Sequence, residues 1–165
     1  MADGVESQDL RPRDGLDEVD RAILAALAAD GRMSNAALAE AVGVAASTSL
    51  ARVRALTARG VISGFRATID PRAVGRDMQA LISVAIRAGA RANIARFAEE
   101  IRTMPEVIQV FFLGGAEDFI VHVAARDSDG IRDFVLEALS ANPLVASTRT
   151  SMVFDHHFIG VRVGD

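Results

Sequence analysis

Apolar positions fall into helical spacing once the chain passes its first fifteen residues. Leu16, Val19, Ile23, Leu24 and Leu27 share one face, Asp17 stands where a cap is needed, and Gly31 ends the run. A second, shorter helix is predicted after Ser34, a good N-cap, with Ala37, Leu38, Ala41 and Val42 inward and Gly43 as its stop. A third runs from Ala46 to Ala58, with Leu50, Val53, Leu56 and Thr57 as its inner stripe and Gly60 as its terminator. Three short helices followed by the strand-like VISGFRATID (Val61 to Asp70) are the order of a winged helix-turn-helix, whose tight turn falls at Gly43.

The pattern changes after Asp70-Pro71 and Gly75, which mark a hinge. ALISVAIRA (Ala80 to Ala88) reads as a buried strand. Asn93 to Met104 reads as a helix with Ile94, Phe97 and Ile101 on one face, stopped by Pro105. Val107 to Gly115 and Asp118 to Ala125 are strands around a glycine turn. Ser128 is placed to cap a helix carrying Ile131, Phe134, Val135 and Leu139, Asn142-Pro143 breaks it, and Ser147 to Phe154 is a last strand. The order βαββαβ predicts a ferredoxin-like antiparallel sheet with two helices on one face, so the fold class is α+β. The boundaries are a polar arm over residues 1–15, predicted to be disordered, a winged helix-turn-helix over 16–66, a hinge over 67–77 and a second domain over 78–160.

Composition narrows the function more than the fold. Half of the 165 residues are apolar, enough for a sizeable core, and no apolar run reaches the length of a membrane span. The N-terminus is acidic and lacks an apolar secretory core, so a cytoplasmic protein is expected. The absence of cysteine removes disulfides, thiolate nucleophiles and cysteine-based zinc sites. A net charge of −4 argues against non-specific coating of nucleic acid, yet the charge is unevenly spread. Of nine acids before residue 67, eight lie at or before Asp30, whereas Arg32 to Arg66 holds five arginines against Glu40 alone.

That basic segment contains the helix that would enter the major groove. On the wheel set by Leu50, Val53 and Leu56, the outer side carries Thr48, Ala51, Arg52, Ala55 and Arg59, flanked by Ser47 and Arg54. Hydroxyls at the entrance and arginines beyond suit base edges and phosphates. Ser47, Thr48 and Arg52 are therefore assigned to base or groove contacts, and Arg54 and Ser34 to the DNA backbone. Weak contacts of this number need several half-sites on one particle to reach high affinity.

Four stretches in order, LDEVDRAILAALAADGRMSNAALAEAVGV, RVRALTARGVISGF, IDPRAVG and FFLGGAEDFIVHV, resemble the leucine- and asparagine-responsive regulators of the Lrp/AsnC, or feast/famine, family. FLGGAEDFIVHVAARD is most similar to its actinobacterial members of the type that regulates alanine dehydrogenase. The resemblance implies a transcription regulator of amino-acid metabolism with a RAM-type sensing domain, binding double-stranded DNA and an amino-acid effector. It also implies homodimers that join into higher oligomers such as octamers, with neither a cofactor nor a metal. LGGAEDF aligns with the family's effector turn. Gly114 and Gly115 expose amides to a carboxylate, Asp118 meets the ammonium, Ala116 replaces an acid, and Thr148 and Thr150 complete the pocket from the last strand. The family usually places serine where this chain has Ala45; either Ser47 caps a helix that starts later, or that end is weaker.

Catalysis has little support in these residues. His156 and His157 are neighbours on a probable strand end and point to opposite faces, His122 sits among alternating apolar residues as a core or interface residue, and Glu99-Glu100 lies on a helix surface. Two alternatives accompany the regulator reading: a sirohaem-decarboxylase-like enzyme of the same two-domain fold, and an architectural DNA-binding protein without effector control.

Overall fold

A computed structural model describes residues 15–161, so all but the last residue of the predicted polar arm lies outside the described residues. The chain divides into two compact units, one comprising residues through Ala67 together with the tail from Phe158, the other Thr68–His157.

In the first unit, α1 (Glu18–Ala29), α2 (Asn35–Val42) and α3 (Ala46–Ala58) enclose a core of Ile23, Leu38, Leu56 and Ile62, so each helix contributes one of the most deeply buried side chains. Asp17 caps α1, accepting the Asp20 N–H at 2.8 Å, and Ser34 caps α2 through Ala37 N–H at 3.2 Å. α1 stops before the expected Gly31, because Asp30 adopts an extended backbone and its carboxylate takes the Arg32 N–H. Gly43 and Gly60 both adopt left-handed conformations, φ +72° and +68°. In each the chain reverses through paired bonds, Gly43 N to Glu40 O with Val44 N to Ala39 O, and Gly60 N to Thr57 O with Val61 N to Leu56 O. These are Schellman closures, which a side chain bearing Cβ would strain.

Two expectations are corrected here. The inner stripe of α3 is Ser49, Val53 and Leu56. Leu50, about 100° further round the helix, is 39% exposed, and Thr57 is also exposed. VISGFRATID is not a strand: Ile62 anchors it to the core, but Gly64 at φ +149° interrupts the extended run, and among the described residues no neighbouring strand takes its backbone groups.

The second unit is a four-stranded antiparallel sheet of β1 (Met78–Ile86), β2 (Val107–Phe112), β3 (Phe119–Ala125) and β4 (Val145–Val153), in the order β2-β3-β1-β4. Helices α4 (Ile94–Arg102) and α5 (Ser128–Asp133) cover one face, where Ala80, Ile82 and Val84 alternate along β1 against Phe97, Ile101 and Leu139. This is the predicted ferredoxin-like arrangement. The cap expected at Ser128 lies one residue earlier, since Asp127 takes the Gly130 N–H at 3.0 Å and that hydrogen bond, with Arg126 beside it, holds its carboxyl below the usual range. Beyond α5 the chain widens into a π-helical stretch, Phe134–Ser140, closed by Ala141 N to Leu136 O, which keeps Phe134 and Leu139 both inward at a spacing of five.

Ser49 is fully buried in the small helical core, and its hydroxyl has no partner among the described residues. Such a group costs about 1–3 kcal/mol of desolvation. Ser49→Ala is therefore expected to stabilise the helical unit by roughly that amount, read as a higher urea midpoint, with DNA binding unchanged because the side chain is buried. A lower midpoint would mean that the hydroxyl is satisfied in solution.

Candidate DNA-binding face and effector turn

α3 begins at Ala46, as predicted, with Ala45 as a cap that makes no side-chain bond. Ser47 is thus one residue inside the helix and does not act as its cap. The weak end is held from outside: Asn35, at the start of α2, donates Nδ2–H to Ala46 O at 2.8 Å. Sequence reasoning passed over this residue, because nothing in the chain order places Asn35 beside Ala46. Ser47, Thr48, Ala51, Arg52 and Ala55 line an open hollow of about 390 Å³ on the outside of α3. The hydroxyls of Ser47 and Thr48 have no partner among the described residues, and both residues are exposed. Ser34 is also exposed; its oxygen accepts from Ala37 N–H, which leaves its own O–H to donate.

The arginines assigned from the sequence differ in their surroundings. Arg54 is exposed and makes no ion pair among the described residues. Arg52 is not a free cation: its Nη1 contacts Asp17 Oδ2 and lies 3.0 Å from Oδ1 of Asp20, a buried carboxylate of α1. The Arg52 guanidinium, and then the Asp20 N–H, hold the Asp17 carboxyl below the usual range. Arg59 joins the cluster, 3.9 Å from Asp20 Oδ2 and donating to Gly15 O.

In the second unit the turn between β2 and β3 is built as the sequence suggested. Leu113 N–H donates to Asp118 O, which closes it. The N–H groups of Gly114, Gly115, Ala116 and Glu117 have no acceptor among the described residues, so four backbone donors stand open at one end of the sheet. A Cβ at Gly114 or Gly115 would meet nothing within 4 Å, so neither glycine is required by a close neighbour within this chain. Asp118 is committed in part, one oxygen accepting Ile86 N–H at 2.7 Å and pinning the turn to β1. Thr148 pairs across β1 with Val84, whose carbonyl takes the Asp118 N–H, so Thr148 belongs to the same end of the sheet. Thr150 lies two residues further away, on the same side. Glu117 and Arg149, which the sequence did not single out, tie the turn to β4 with an ion pair of 3.3 Å.

The face of the sheet turned away from the helices carries Leu81, Phe111 and Ile120 around His122. His122 is only 3% exposed; it bonds Gln79 at 2.9 Å and meets the His156 ring edge-on. Burial, with a smaller push from His156, lowers its pKa below the ordinary imidazole value. A depressed folded-state pKa contributes stability that is complete above the unfolded value of about 6.5 and is lost as pH falls through the folded value. The sheet unit is therefore expected to melt at progressively lower temperature as pH drops below about 6.5, and His122→Gln should flatten that part of the profile. A slope unchanged by the substitution would place the titration elsewhere.

Two family models match the chain. The AsnC-type helix-turn-helix domain covers residues 16–57 and the Lrp/AsnC ligand binding domain covers residues 79–162. The chain belongs to the Lrp/AsnC family. Among its relatives, the HTH-type transcriptional regulator AldR of Mycolicibacterium smegmatis is 53% identical over 149 residues, 90% of this chain and 86% of that protein. AldR of Mycobacterium tuberculosis is 53% identical over 150 residues, 91% and 83% of the two chains. The crystal structure of the M. tuberculosis AldR superposes with a TM-score of 0.80 at 47% identity, over 92% of this chain and 99% of that one. A Neisseria meningitidis regulator in complex with L-Met does so with a TM-score of 0.80 at 30% identity, over 91% and 97%. This Lrp/AsnC chain is accordingly a DNA-binding transcriptional regulator and not an enzyme, which removes the sirohaem-decarboxylase alternative. Among the described residues no single helix is long and apolar enough to cross a membrane, and no cluster of three or more His, Cys, Asp or Glu is placed to hold a metal.

Proposed function

We propose that this chain is an amino-acid-responsive regulator of amino-acid metabolism, working in the cytoplasm. Residues 16–66 bind DNA, 67–77 form the hinge, and 78–160 sense the effector and assemble the oligomer. α3 enters the major groove with Ser47, Thr48 and Arg52 toward the bases, while Ser34 and Arg54 hold the backbone. Assembly into homodimers, and of dimers into octamers, is supported by large apolar side chains left exposed: Phe65, Ile69, Leu81 and Phe111. Family membership and the N. meningitidis regulator's complex with L-Met support an amino-acid effector.

The observation that carries the effector reading is the row of four unpaired amides from Gly114 to Glu117 beside the Asp118 carboxylate. N–H groups left open on a turn are suited to receive a carboxylate, and an adjacent acid to receive the ammonium of the same molecule. Asp118 carries both duties, one oxygen on Ile86 N–H and its negative charge beside the amides. Thr148 and Thr150 supply hydroxyls from β4. With Ala116 in place of an acid and the Glu117 carboxylate paired with Arg149, the turn gives a cationic side chain little advantage, so neutral aliphatic or aromatic amino acids are the effectors of choice.

A thermal-shift screen of the twenty amino acids, followed by DNA footprinting with the hits, tests this reading. At least one neutral amino acid should raise the melting temperature and alter the footprint, and Asp118→Ala should remove both effects. A protein whose footprint ignores all twenty would be an architectural DNA-binding protein instead.

A further inference from the structure

We propose that Arg52 reads a guanine in each half-site and that Asp17 and Asp20 are the positioning residues that present it; this rests on the DNA-binding role of α3. Arg52 spends one terminal nitrogen on α1. Nη1 has two hydrogens, and two carboxylate oxygens stand against it, Asp17 Oδ2 and, at 3.0 Å, Asp20 Oδ1. Its Nε and Nη2 groups, the opposite edge with three N–H donors, have no partner among the described residues. Guanidinium is planar, so pinning one nitrogen from two sides fixes the direction of the other edge. The pin is itself rigid: Asp20 is buried in the helical unit, and Asp17 is held in place as the cap of α1. Arg52 borders the hollow whose other walls are Ser47, Thr48, Ala51 and Ala55, all small, so a base edge can approach closely there.

Charge decides what that edge takes. Among the described residues, two carboxylates, Asp17 and Asp20, stand against two guanidiniums, Arg52 and Arg59, and both carboxylates contact Arg52. A cation balanced in this way has little attraction left for a phosphate, because phosphate binding is driven by net charge and counterion release. Its directional N–H donors remain intact. The neutral acceptor pair that matches a side-on guanidinium fork is guanine O6 and N7 in the major groove. Arg54, exposed and without an ion pair among the described residues, is the arginine of α3 suited to phosphate.

The test selects the full chain on a randomised duplex library and sequences the bound DNA, for the wild type, Arg52→Lys, Asp17→Asn, Asp20→Asn and Arg54→Ala. Lysine at 52 retains a cation for Asp20 but lacks the planar fork, so a mere strut between α1 and α3 survives that change with its sequence preference intact, whereas guanine reading by a fixed fork is weakened. Asp17→Asn keeps the cap acceptor, so it remains informative if Asp20→Asn does not fold. The wild type should select one guanine per half-site. Arg52→Lys should lower that preference about ten- to a hundredfold, and the two Asp→Asn variants should weaken it in the same direction. Other selected positions should persist, and Arg54→Ala should weaken all sequences alike. In the best duplex, 7-deazaguanine at that position should weaken the wild type and leave Arg52→Lys unaffected. An undiminished guanine preference in Arg52→Lys, or an even loss across all sequences, overturns the assignment. A wild type with no sequence preference removes the DNA-reading role of α3 itself, and this inference with it.

Discussion

Leu56→Ala is expected to unfold the DNA-binding unit at physiological temperature and abolish sequence-specific binding. Leu56 is fully buried, and among the described residues the hydrophobic cluster at the centre of its core has three other buried members, Ile23, Leu38 and Ile62. Truncating a buried leucine costs about 2–5 kcal/mol, through lost transfer energy and the cavity left behind. A helical unit of this size has a total stability of roughly 3–8 kcal/mol, so the loss consumes most or all of it. Leu56 O also accepts from both Val61 N–H and Ile62 N–H, so its backbone lies where α3 closes and the chain turns back to place Ile62 in the core. In a melt followed by circular dichroism, the helical transition should move to much lower temperature while the sheet unit melts as before. A helical transition within a degree or two of the wild type would show that this core holds reserves that its four buried residues do not account for.

Phe119→Ala should do comparable damage in the other unit, about 3–5 kcal/mol. The ring is 1% exposed and stacks obliquely between Phe97 of α4, at 5.2 Å, and Phe112 of β2, at 5.1 Å, so its removal detaches the helix layer from the sheet at one end. It also adjoins Asp118, whose carboxylate pins the effector turn to β1. Any amino-acid response should therefore disappear together with stability. Phe119→Leu, which nearly conserves volume, should cost less than about 1.5 kcal/mol and preserve the response. Chemical denaturation of the two variants, with and without an effector amino acid, separates these outcomes; a stable Phe119→Ala protein that keeps its response would contradict both parts.

The two units differ in how much of them was legible in the sequence. The sheet unit was read element by element, though not to the ends of each strand, because Ala80 to Ala88 has the apolar content of a buried strand and Ile94, Phe97 and Ile101 repeat at helical spacing. In the helical unit the three helices and the inner face of α1 were read correctly, and the inner face of α3 was not. α3 offers alanines and serines where a strong stripe would be informative, so Leu50 looked like core although the small Ser49 takes that place. The wing failed for a different reason: β propensity in VISGFRATID indicates what a pleated partner would accept, and this unit contains no partner.

What the sequence by itself determined, then, was the element order, the caps at Asp17 and Ser34, the reversals at Gly43 and Gly60, and the glycine turn before Asp118. All are local, resting on the backbone freedom of glycine or on a side chain that reaches three residues along the chain. Only the tertiary structure decided the state of the functional groups. Asp17 and Asp20 are more than thirty residues from Arg52, Asn35 is eleven from Ala46, and Glu117 is thirty-two from Arg149, yet each pair is in contact. Periodicity assigns a residue to a face but not to a partner, and an arginine's role depends on its partner. Arg52 and Arg54 are two residues apart on one helix; packing of α1 neutralises the first and leaves the second charged.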